Sequence, residues 1–268
     1  MIARRPPPDV ELPIAVRRLI GGRSHRPLWR NELGGLTVAV DDERPVVVKW
    51  APPAQRAELD AEVERLTWAA PFVRVPEVLD HGADDDTGGA WMLTALIEGE
   101  SAVEDRWLAD PEPAVRAVGA GLRTLHDSLP VADCPFGWSL ADRRADAHRR
   151  AAAGLIDPAR WHEDLADLSL ADALALIDAL DEDAADVVVC HGDACAPNTL
   201  VDEQGRSVAH VDLGRLGVAD RWADLAIATW STVWNHGPGW EGALLDAYGI
   251  DPDPDRIRGY RVLWELGP

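Results

Sequence analysis

One short run in the last third of the chain carries the side chains best suited to chemistry. His191, Gly192 and Asp193 follow one another, Asn198 stands five residues after the aspartate, and Asp212 comes fourteen residues later. Carboxylate and amide oxygens are the protein ligands that Mg²⁺ prefers, and a carboxylate can also orient an attacking hydroxyl and accept its proton. The residue types and their spacing therefore suit phosphoryl transfer from a magnesium-bound nucleotide.

Predicted strands and one helix would position these groups. The β-branched run 187–189 predicts a buried strand just before His191, and a second strand-like segment ends at Asp212. Upstream, the apolar run 46–48 predicts a strand that ends at Lys49, and a helix is predicted over 53–70. Glu62 lies on that helix, thirteen residues after Lys49. Kinases hold such a lysine on the nucleotide phosphates with a helix glutamate, so Glu62 is the expected partner. Glu58 is the second candidate, and a solvated helix face is the alternative.

The chain resembles the aminoglycoside phosphotransferases, specifically the 3′-phosphotransferase type, over VVVCHGDACAPNTLV and HVDLGRLGVADRWADLA. This resemblance implies an α+β, bilobal protein-kinase-like fold. A small β-rich N-terminal lobe would take residues 1–97, including the hinge strand, and a larger, mainly helical C-terminal lobe would take 98–268. It implies an ATP- and Mg²⁺-dependent O-phosphotransferase, with GTP not excluded. The enzyme would phosphorylate an aminoglycoside, with the 3′-hydroxyl expected, and so confer antibiotic resistance.

The same resemblance implies roles for individual residues. Asp193 would orient and deprotonate the attacking hydroxyl, Asn198 and Asp212 would hold Mg²⁺, and Lys49, fixed by Glu62, would bind the phosphates. Three further residues would support the site: His191 would brace the loop, Arg215 would lie near the metal aspartate or the γ-phosphate, and Asp224 would anchor the loop backbone.

Nucleotide contacts are also expected from two backbone segments of the N-terminal lobe. Gly34 and Gly35 could form a flap over the phosphates, because backbone N–H groups there can approach without a Cβ in the way; a plain hairpin turn is the alternative. Adenine is expected, by analogy, to bond backbone groups of the segment from Ala95 to Ile97.

The resemblance weakens on the acceptor side. Glu265 stands where the family has a glutamate near its C-terminus, but the neighbouring residues differ. Glu163 and Asp164 are nearby carboxylate candidates, and Trp234 falls where a substrate glutamate can occur. Twelve tryptophans are present against two phenylalanines and two tyrosines. A tryptophan face can receive an ammonium group, although packing in the core is the alternative.

Composition restricts the class of protein. The net charge of −21 disfavours nucleic acid and anionic membranes and suits a polycationic substrate, although a generally acidic proteome is the alternative. Three cysteines match neither a disulfide framework nor a zinc site. No segment has the length of a membrane span or the apolar run of a secretory signal, so a cytoplasmic monomer or homodimer is expected.

Alternative functions remain open. The acceptor could be a streptomycin-type aminocyclitol, another antibiotic or a metabolite, or the chain could be a nucleotide-binding module without catalysis. Among the other elements, residues 14–50 predict strands, with a mixed pattern over 14–20; 73–75 predicts a short strand, and 113–128 predicts a helix. His126 at the end of that helix is expected to be a helix-terminal charge.

Overall fold

The structure, a computed structural model, describes residues 6–181 and 186–267. The chain divides into two compact units. The first contains the residues up to Glu98 together with the segment 209–214, and the second contains 99–208 and the residues from Arg215 onward. The aspartate of the Asp-x-Gly run thus belongs to the same unit as Lys49 and Glu62.

The first unit is built on a five-stranded antiparallel sheet in the order β1-β2-β3-β5-β4. Its core is a cluster of aliphatic side chains from the first helix and from β2 and β3. The elements of this unit are α1 (Ile14–Ile20), β1 (His25–Arg30), β2 (Leu36–Val40), β3 (Val46–Ala51), α2 (Arg56–Ala69), β4 (Val78–Asp84) and β5 (Gly89–Ala95).

Strand alternation decides which way Lys49 faces. Val46 and Val48 are buried in the aliphatic core, and successive side chains of a strand point to opposite faces of the sheet. Lys49 therefore emerges on the face opposite that core, where its register partners are Thr37 on β2 and Met92 on β5. A lysine at this position can reach a polar site without burying its charge among the valines.

Two predictions for this unit are wrong. Residues 14–20 form a helix rather than a strand, with Gly21 as its left-handed C-cap; the apolar residues Val16 and Ile20 lie four apart and both enter the core, a helical spacing. The strand predicted at 73–75 begins instead at Val78.

The second unit is mainly helical. Two small groups of strands accompany the helices, one of β7 and β10 and one in the order β6-β8-β9. The elements are β6 (Glu100–Ser101), α3 (Asp105–Ala109), α4 (Pro111–Ser128), α5 (Leu140–Ala152), α6 (Leu170–Asp178), β7 (Val187–Cys190), β8 (Thr199–Val201), β9 (Ser207–His210, whose last two residues belong to the first unit), β10 (Gly217–Asp220), α7 (Trp222–His236), α8 (Glu241–Tyr248) and α9 (Pro254–Leu266).

Helix α7 is the buried centre of the second unit. Every residue from Trp222 to Thr232 is buried, so this helix has no solvent face over three turns. Helix α4 confirms the helix predicted over 113–128, and Val115 and Leu125 on its apolar side are fully buried. Polar groups that project from such surroundings need hydrogen-bond partners.

The described helices include none with the length and apolarity needed to cross a lipid bilayer. All three cysteines are free thiols.

Candidate active site

Lys49 lies between two carboxylates of the first unit. Its Nζ is 2.5 Å from Oε2 of Glu62 on α2 and 2.7 Å from Oδ1 of Asp212. The Glu62 side chain is only 5% exposed, whereas the Asp212 side chain is 48% exposed. The structure thus places the predicted lysine and glutamate in direct contact, with the lysine also held toward a more exposed carboxylate.

The three charges of this group shift one another's pKa. Burial alone would lower the pKa of Lys49, but the neighbouring charges of Asp212 and Glu62 raise it well above its ordinary value. Burial raises the pKa of Glu62, and repulsion by Asp212 adds to that rise, while the attraction of Lys49 opposes it. The lysine is therefore cationic at neutral pH, as a phosphate-binding group must be.

The backbone at Asp212 is unusual. Its φ of 64° makes it the one non-glycine residue with a positive φ in the part of the chain that the structure describes. Aspartate tolerates this left-handed conformation better than most residues, and such outliers concentrate at functional sites. Two residues on, Gly214 passes close to α2, because a Cβ there would lie 3.5 Å from the carbonyl oxygen of Glu58 and 3.6 Å from Cβ of Glu62.

The glycine turn between β1 and β2 is closed by Asn31. The N–H of Gly34 donates to the Asn31 carbonyl, and the N–H of Gly35 donates to Asn31 Oδ1 at 2.7 Å. Both amides expected to approach phosphates thus have internal acceptors, and the turn has the geometry of a plain hairpin. Gly34 needs the freedom of glycine, since its φ is 94°.

The hinge segment offers a restricted set of backbone groups. The N–H of Ala95 donates to the Glu77 carbonyl, and the N–H of Leu96 donates to the Pro45 carbonyl. The N–H of Ile97 makes no hydrogen bond to any other residue that the structure describes. Of the three amide donors in the predicted adenine segment, Ile97 is therefore the one left for a base.

The loop that carries Asp193 belongs to the second unit and follows β7 directly. β7 pairs with β10 so that Cys190 lies opposite Gly217. At the next turn Gly192 has a φ of 85°, and a Cβ there would lie 2.2 Å from the Arg215 carbonyl oxygen. Only glycine fits this position, which explains the glycine between the histidine and the aspartate.

Side chains and backbone fix the rest of this loop. The N–H of Asp193 donates to Nδ1 of His191 at 3.2 Å, and Nδ2 of Asn198 donates to the Asp193 carbonyl at 2.9 Å. Further along, the N–H of Ala196 donates to Oγ of Ser231 on α7. Because the amide nitrogen of Asn198 serves the loop, its Oδ1 is the atom available to a cation.

Asp224 holds the start of the loop. Its Oδ2 accepts the N–H of His191 at 2.6 Å, and its Oδ1 accepts the N–H of Gly192 at 2.9 Å. Burial would raise the pKa of this fully buried carboxyl, but the hydrogen bonds that it accepts from His126 and from the N–H of Gly192 keep it below its ordinary value. An ionised Asp224 thus anchors the loop backbone in the way the sequence predicts.

The acceptor-side candidates also lie in the second unit, and several are in contact. Oε1 of Glu265 accepts the N–H of His162 at 3.1 Å, and Oδ2 of Asp164 accepts Nε1 of Trp230 at 2.7 Å. The His162 ring packs against Trp230 and Trp234, with ring centroids 4.9 and 5.9 Å away. These five residues form one aromatic and acidic cluster at the C-terminal half of α7.

Not every acceptor-side expectation is met by this cluster. Trp230 is fully buried and serves the core, as the packing alternative holds. Glu163 is exposed to solvent. Arg215 places its guanidinium 5.7 Å from the ring centre of Trp264. Burial raises the pKa of the partly buried Glu265 carboxyl, an effect that the His162 N–H opposes.

Similarity to known proteins extends along most of the chain. The model of the phosphotransferase enzyme family matches residues 22–260. An aminoglycoside 3′-phosphotransferase of Streptomyces ribosidificus is 37% identical over 216 residues, which cover 78% of this chain and 80% of the relative. A streptomycin 3″-kinase of Streptomyces griseus is 39% identical over 226 residues, which cover 79% and 81%. The chain belongs to the aminoglycoside phosphotransferase family.

A solved structure of this family extends the likeness to three dimensions. The aminoglycoside phosphotransferase APH(3″)-Id from Streptomyces rimosus, in complex with ADP and streptomycin, matches with a TM-score of 0.71 and 30% identity, over 94% of this chain and 95% of that one. This member of the aminoglycoside phosphotransferase family accordingly has the α+β, protein-kinase-like fold that the sequence predicts, and it is a kinase that uses a nucleotide.

Two residues of this family member, Asn31 and His126, have contacts that the sequence did not predict. Asn31 closes the glycine turn, and an asparagine four residues before a glycine is too common a pattern to have indicated it. His126 was expected to be a helix-terminal charge, but it is buried and bonded on both ring nitrogens, to Asp224 and to Tyr248. Neither partner is near it in sequence, so only the tertiary structure reveals the contact.

Proposed function

We propose that the chain phosphorylates a hydroxyl of an aminoglycoside antibiotic, with Mg·ATP as the donor and the 3′-hydroxyl as the acceptor, and thereby confers resistance. The observation that carries this proposal is the fixed loop of residues 191–198, which presents Asp193 and Asn198 from a backbone anchored by a buried carboxylate. Rigid support of this kind is what positioning a nucleophile requires. The aminoglycoside substrates of the relatives support the choice of acceptor.

Asp193 acts on the acceptor. Its carboxylate accepts a hydrogen bond from the acceptor hydroxyl, orients the oxygen toward the γ-phosphorus, and takes the proton as the new P–O bond forms. The internal hydrogen bonds of the loop keep this carboxylate in place. His191 supports the loop through its Nδ1 rather than moving a proton.

Lys49 neutralises negative charge on the nucleotide phosphates. Glu62 fixes the direction of the lysine side chain, and because burial shields their contact, the pair is stronger than one in water. In the proposed complex, phosphate oxygens compete with Asp212 for the ammonium group of Lys49, which has three donors. The lysine can therefore keep Glu62 while it binds phosphate.

Asn198 and Asp212 have the donor atoms that magnesium requires. An amide oxygen and a carboxylate are hard ligands, and Asn198 keeps its Oδ1 available because its amide nitrogen bonds the Asp193 carbonyl. Bound Mg²⁺ would neutralise charge on the transferring phosphoryl group. These two residues are the proposed ligands.

The hinge supports ATP over GTP. Adenine offers an amino donor and a ring-nitrogen acceptor, which match a backbone C=O and the N–H of Ile97. Guanine presents an oxygen and an N–H donor at the corresponding positions, so in the same register both contacts would be repulsive.

We also propose a cytoplasmic location, which is supported by the three free thiols.

A streptomycin-type acceptor is the second candidate, because the streptomycin 3″-kinase is as similar to this chain as the 3′-phosphotransferase is. The acceptor cluster supports either one, since Glu265 and Asp164 supply carboxylates for cationic groups. The aromatic rings of His162 and Trp234 also suit a streptomycin-type acceptor, because they offer flat surfaces to a planar guanidinium group as well as to an ammonium group.

ADP release with kanamycin, neomycin, streptomycin or no acceptor, at fixed Mg·ATP, tests the proposal. Turnover with kanamycin or neomycin alone supports 3′-phosphorylation, and turnover with streptomycin alone supports the second candidate. Activity should disappear with EDTA and return with Mg²⁺. Asp193→Asn should lower kcat by at least a thousandfold without unfolding the protein, and a smaller loss would rule out Asp193 as the base. No release with any acceptor, in protein that binds ATP, would refute an aminoglycoside acceptor.

A further inference from the structure

A buried chain of hydrogen bonds leads away from the loop that carries Asp193. His126 on α4 contacts Asp224 Oδ2 through Nε2 at 3.0 Å and the Tyr248 hydroxyl through Nδ1 at 2.8 Å. The hydroxyl in turn accepts Nη1–H of Arg221 at 2.7 Å. His126, Asp224 and Tyr248 are all nearly inaccessible to water. The chain therefore links the loop anchor to α8 without solvent.

Arg221 brings this chain back to the strand before the loop. Its N–H donates to the Asp186 carbonyl at 3.0 Å, and its guanidinium pairs with the Asp186 carboxylate at 2.7 Å. Asp186 directly precedes β7, which ends one residue before His191. Polar contacts thus run from the start of β7 through Arg221, Tyr248 and His126 to Asp224, and from there to the backbone just after β7.

The direction of each bond follows from the donors present. Arg221 can only donate, so the Tyr248 oxygen accepts from it and is left to donate its single O–H to Nδ1 of His126. Burial raises the pKa of Tyr248 to about 12, against the influence of Arg221, so the phenol keeps its proton. Nδ1 is then an acceptor, Nε2 carries the hydrogen, and the imidazole donates to Asp224.

Close packing of α4 and α8 makes this contact possible. A Cβ on Gly119 would lie 2.2 Å from the Leu244 carbonyl oxygen and 3.1 Å from the Tyr248 nitrogen. Gly119 stands two turns before His126 on α4 and so faces the same side of the helix. The missing side chain lets α8 approach until the tyrosine hydroxyl reaches the histidine, whose ring meets the Tyr248 ring edge-on.

We propose that Tyr248 is a positioning residue for phosphoryl transfer: through His126 and Asp224 it holds the backbone of His191 and Gly192, and with it Asp193. This inference rests on the proposed role of the 191–198 loop. Without the hydroxyl, Nδ1 of His126 is a buried acceptor with no partner, and the imidazole is no longer fixed as the donor to Asp224. The anchor loosens, while groups that bind substrate stay unchanged.

His126, Cys190 and Asp224 place one potential metal-ligand atom each within 4.8 Å of one another, but they make a poor metal site. Both nitrogens of His126 are bonded, Asp224 accepts three N–H groups, and Sγ of Cys190 donates to the Asp220 carbonyl. Burial raises the pKa of the Cys190 thiol well above its ordinary value, which keeps it protonated. The cluster is therefore a hydrogen-bonded support.

The two tyrosines of the chain provide a matched test. Tyr260 is as buried as Tyr248, and its hydroxyl contacts Asp220 rather than the loop anchor. In Tyr248→Phe, kcat should fall about tenfold with both KM values changed less than twofold. Tyr260→Phe should lose similar thermal stability but keep kcat within twofold of the wild type. A folded Tyr248→Phe enzyme with wild-type kcat would overturn the proposal.

Substitutions of His126 give a second, independent test. Glutamine places an amide donor near the position of Nε2 and has no tautomers, whereas asparagine can replace only Nδ1. His126→Gln should keep most of kcat, and His126→Asn should lose at least tenfold. Tyr248→Phe should have less than a twofold effect in the His126→Gln background. Action through His126 would be excluded if the kcat losses of the two single variants multiplied in the double variant. It would also be excluded if His126→Gln and His126→Asn lost kcat equally.

Hydrogen exchange makes the test independent of the acceptor. The amides of His191 and Gly192 donate to Asp224, so their exchange reports directly on the anchor. Exchange in a peptide that contains both should be at least fivefold faster in Tyr248→Phe and unchanged in Tyr260→Phe. Unchanged exchange in both would refute the positioning role even if no acceptor were found. Loss of protection together with an active Asp193→Asn enzyme would instead refute the proposed function of the loop.

Discussion

Gly192 is the position where one added methyl group should separate fold from catalysis most clearly. In Gly192→Ala the new Cβ would lie 2.2 Å from the Arg215 carbonyl oxygen, whereas ordinary contacts begin near 3.4 Å. The two nearest atoms belong to the backbone of Arg215 and the third is its Cβ, so no flexible side-chain end can move aside. The loop must therefore shift by about 1 Å to accept the alanine.

Two energies add at this position. A non-glycine residue at a φ of 85° costs about 1–2 kcal/mol, and overpacking typically costs about 1–3 kcal/mol more. The free energy of unfolding should fall by about 2–5 kcal/mol in total. Because Asp193 is the next residue, a displacement of about 1 Å should also lower kcat by roughly a hundredfold.

Gly249 supplies the control. It caps α8 with a φ of 86°, and a Cβ there would meet no atom within 4 Å. Gly249→Ala should therefore lose only the conformational part, about 1–2 kcal/mol, and keep kcat. Urea unfolding followed by circular dichroism gives the stabilities, and ADP release gives kcat. If the two variants were equally stable and equally active, the close contact inferred at Gly192 would be wrong.

Two further predictions concern carboxylates. Glu62→Gln should lower kcat/KM for ATP at least tenfold, because Asp212 is then the remaining carboxylate that contacts Lys49 among the residues described. The free energy of unfolding should fall by only about 1–2 kcal/mol, because Lys49 keeps its contact with Asp212; breaking a buried ion pair usually costs more. Glu58→Gln, one turn away, should keep kcat/KM within twofold, and the opposite ranking would make Glu58 the partner. Glu265→Gln should raise KM for a polycationic acceptor at pH 7.5. The folded-state pKa of Glu265 is raised, so the stability it contributes is present below its ordinary pKa and is lost as pH rises through the folded value. The variant should therefore gain Tm relative to the wild type from pH 4.5 to 8, and a constant Tm difference would contradict this.

Much of the nucleotide side could be predicted from the sequence because the relevant signals are local. Alternation in the 46–49 run places Lys49 opposite the core, and the helix over 56–69 brings Glu62 to the face of the sheet where the lysine emerges. Both follow from strand and helix periodicity. The glycine turn shows the limit of such reasoning, because the bond from Gly35 to the side chain of Asn31 depends on the conformation of the turn.

Sequence order alone determined the set of groups available for chemistry: the aspartate and asparagine of one loop, the aspartate of the Asp-x-Gly run, and a lysine on an apolar strand. Those identities restrict the reaction, since few chemistries need that donor set at that spacing. Tertiary structure alone decided what holds the set in place. His126, Tyr248 and Arg221 meet through packing of α4, α7 and α8. Long-range contacts of this kind depend on how helices approach one another, which no local pattern encodes.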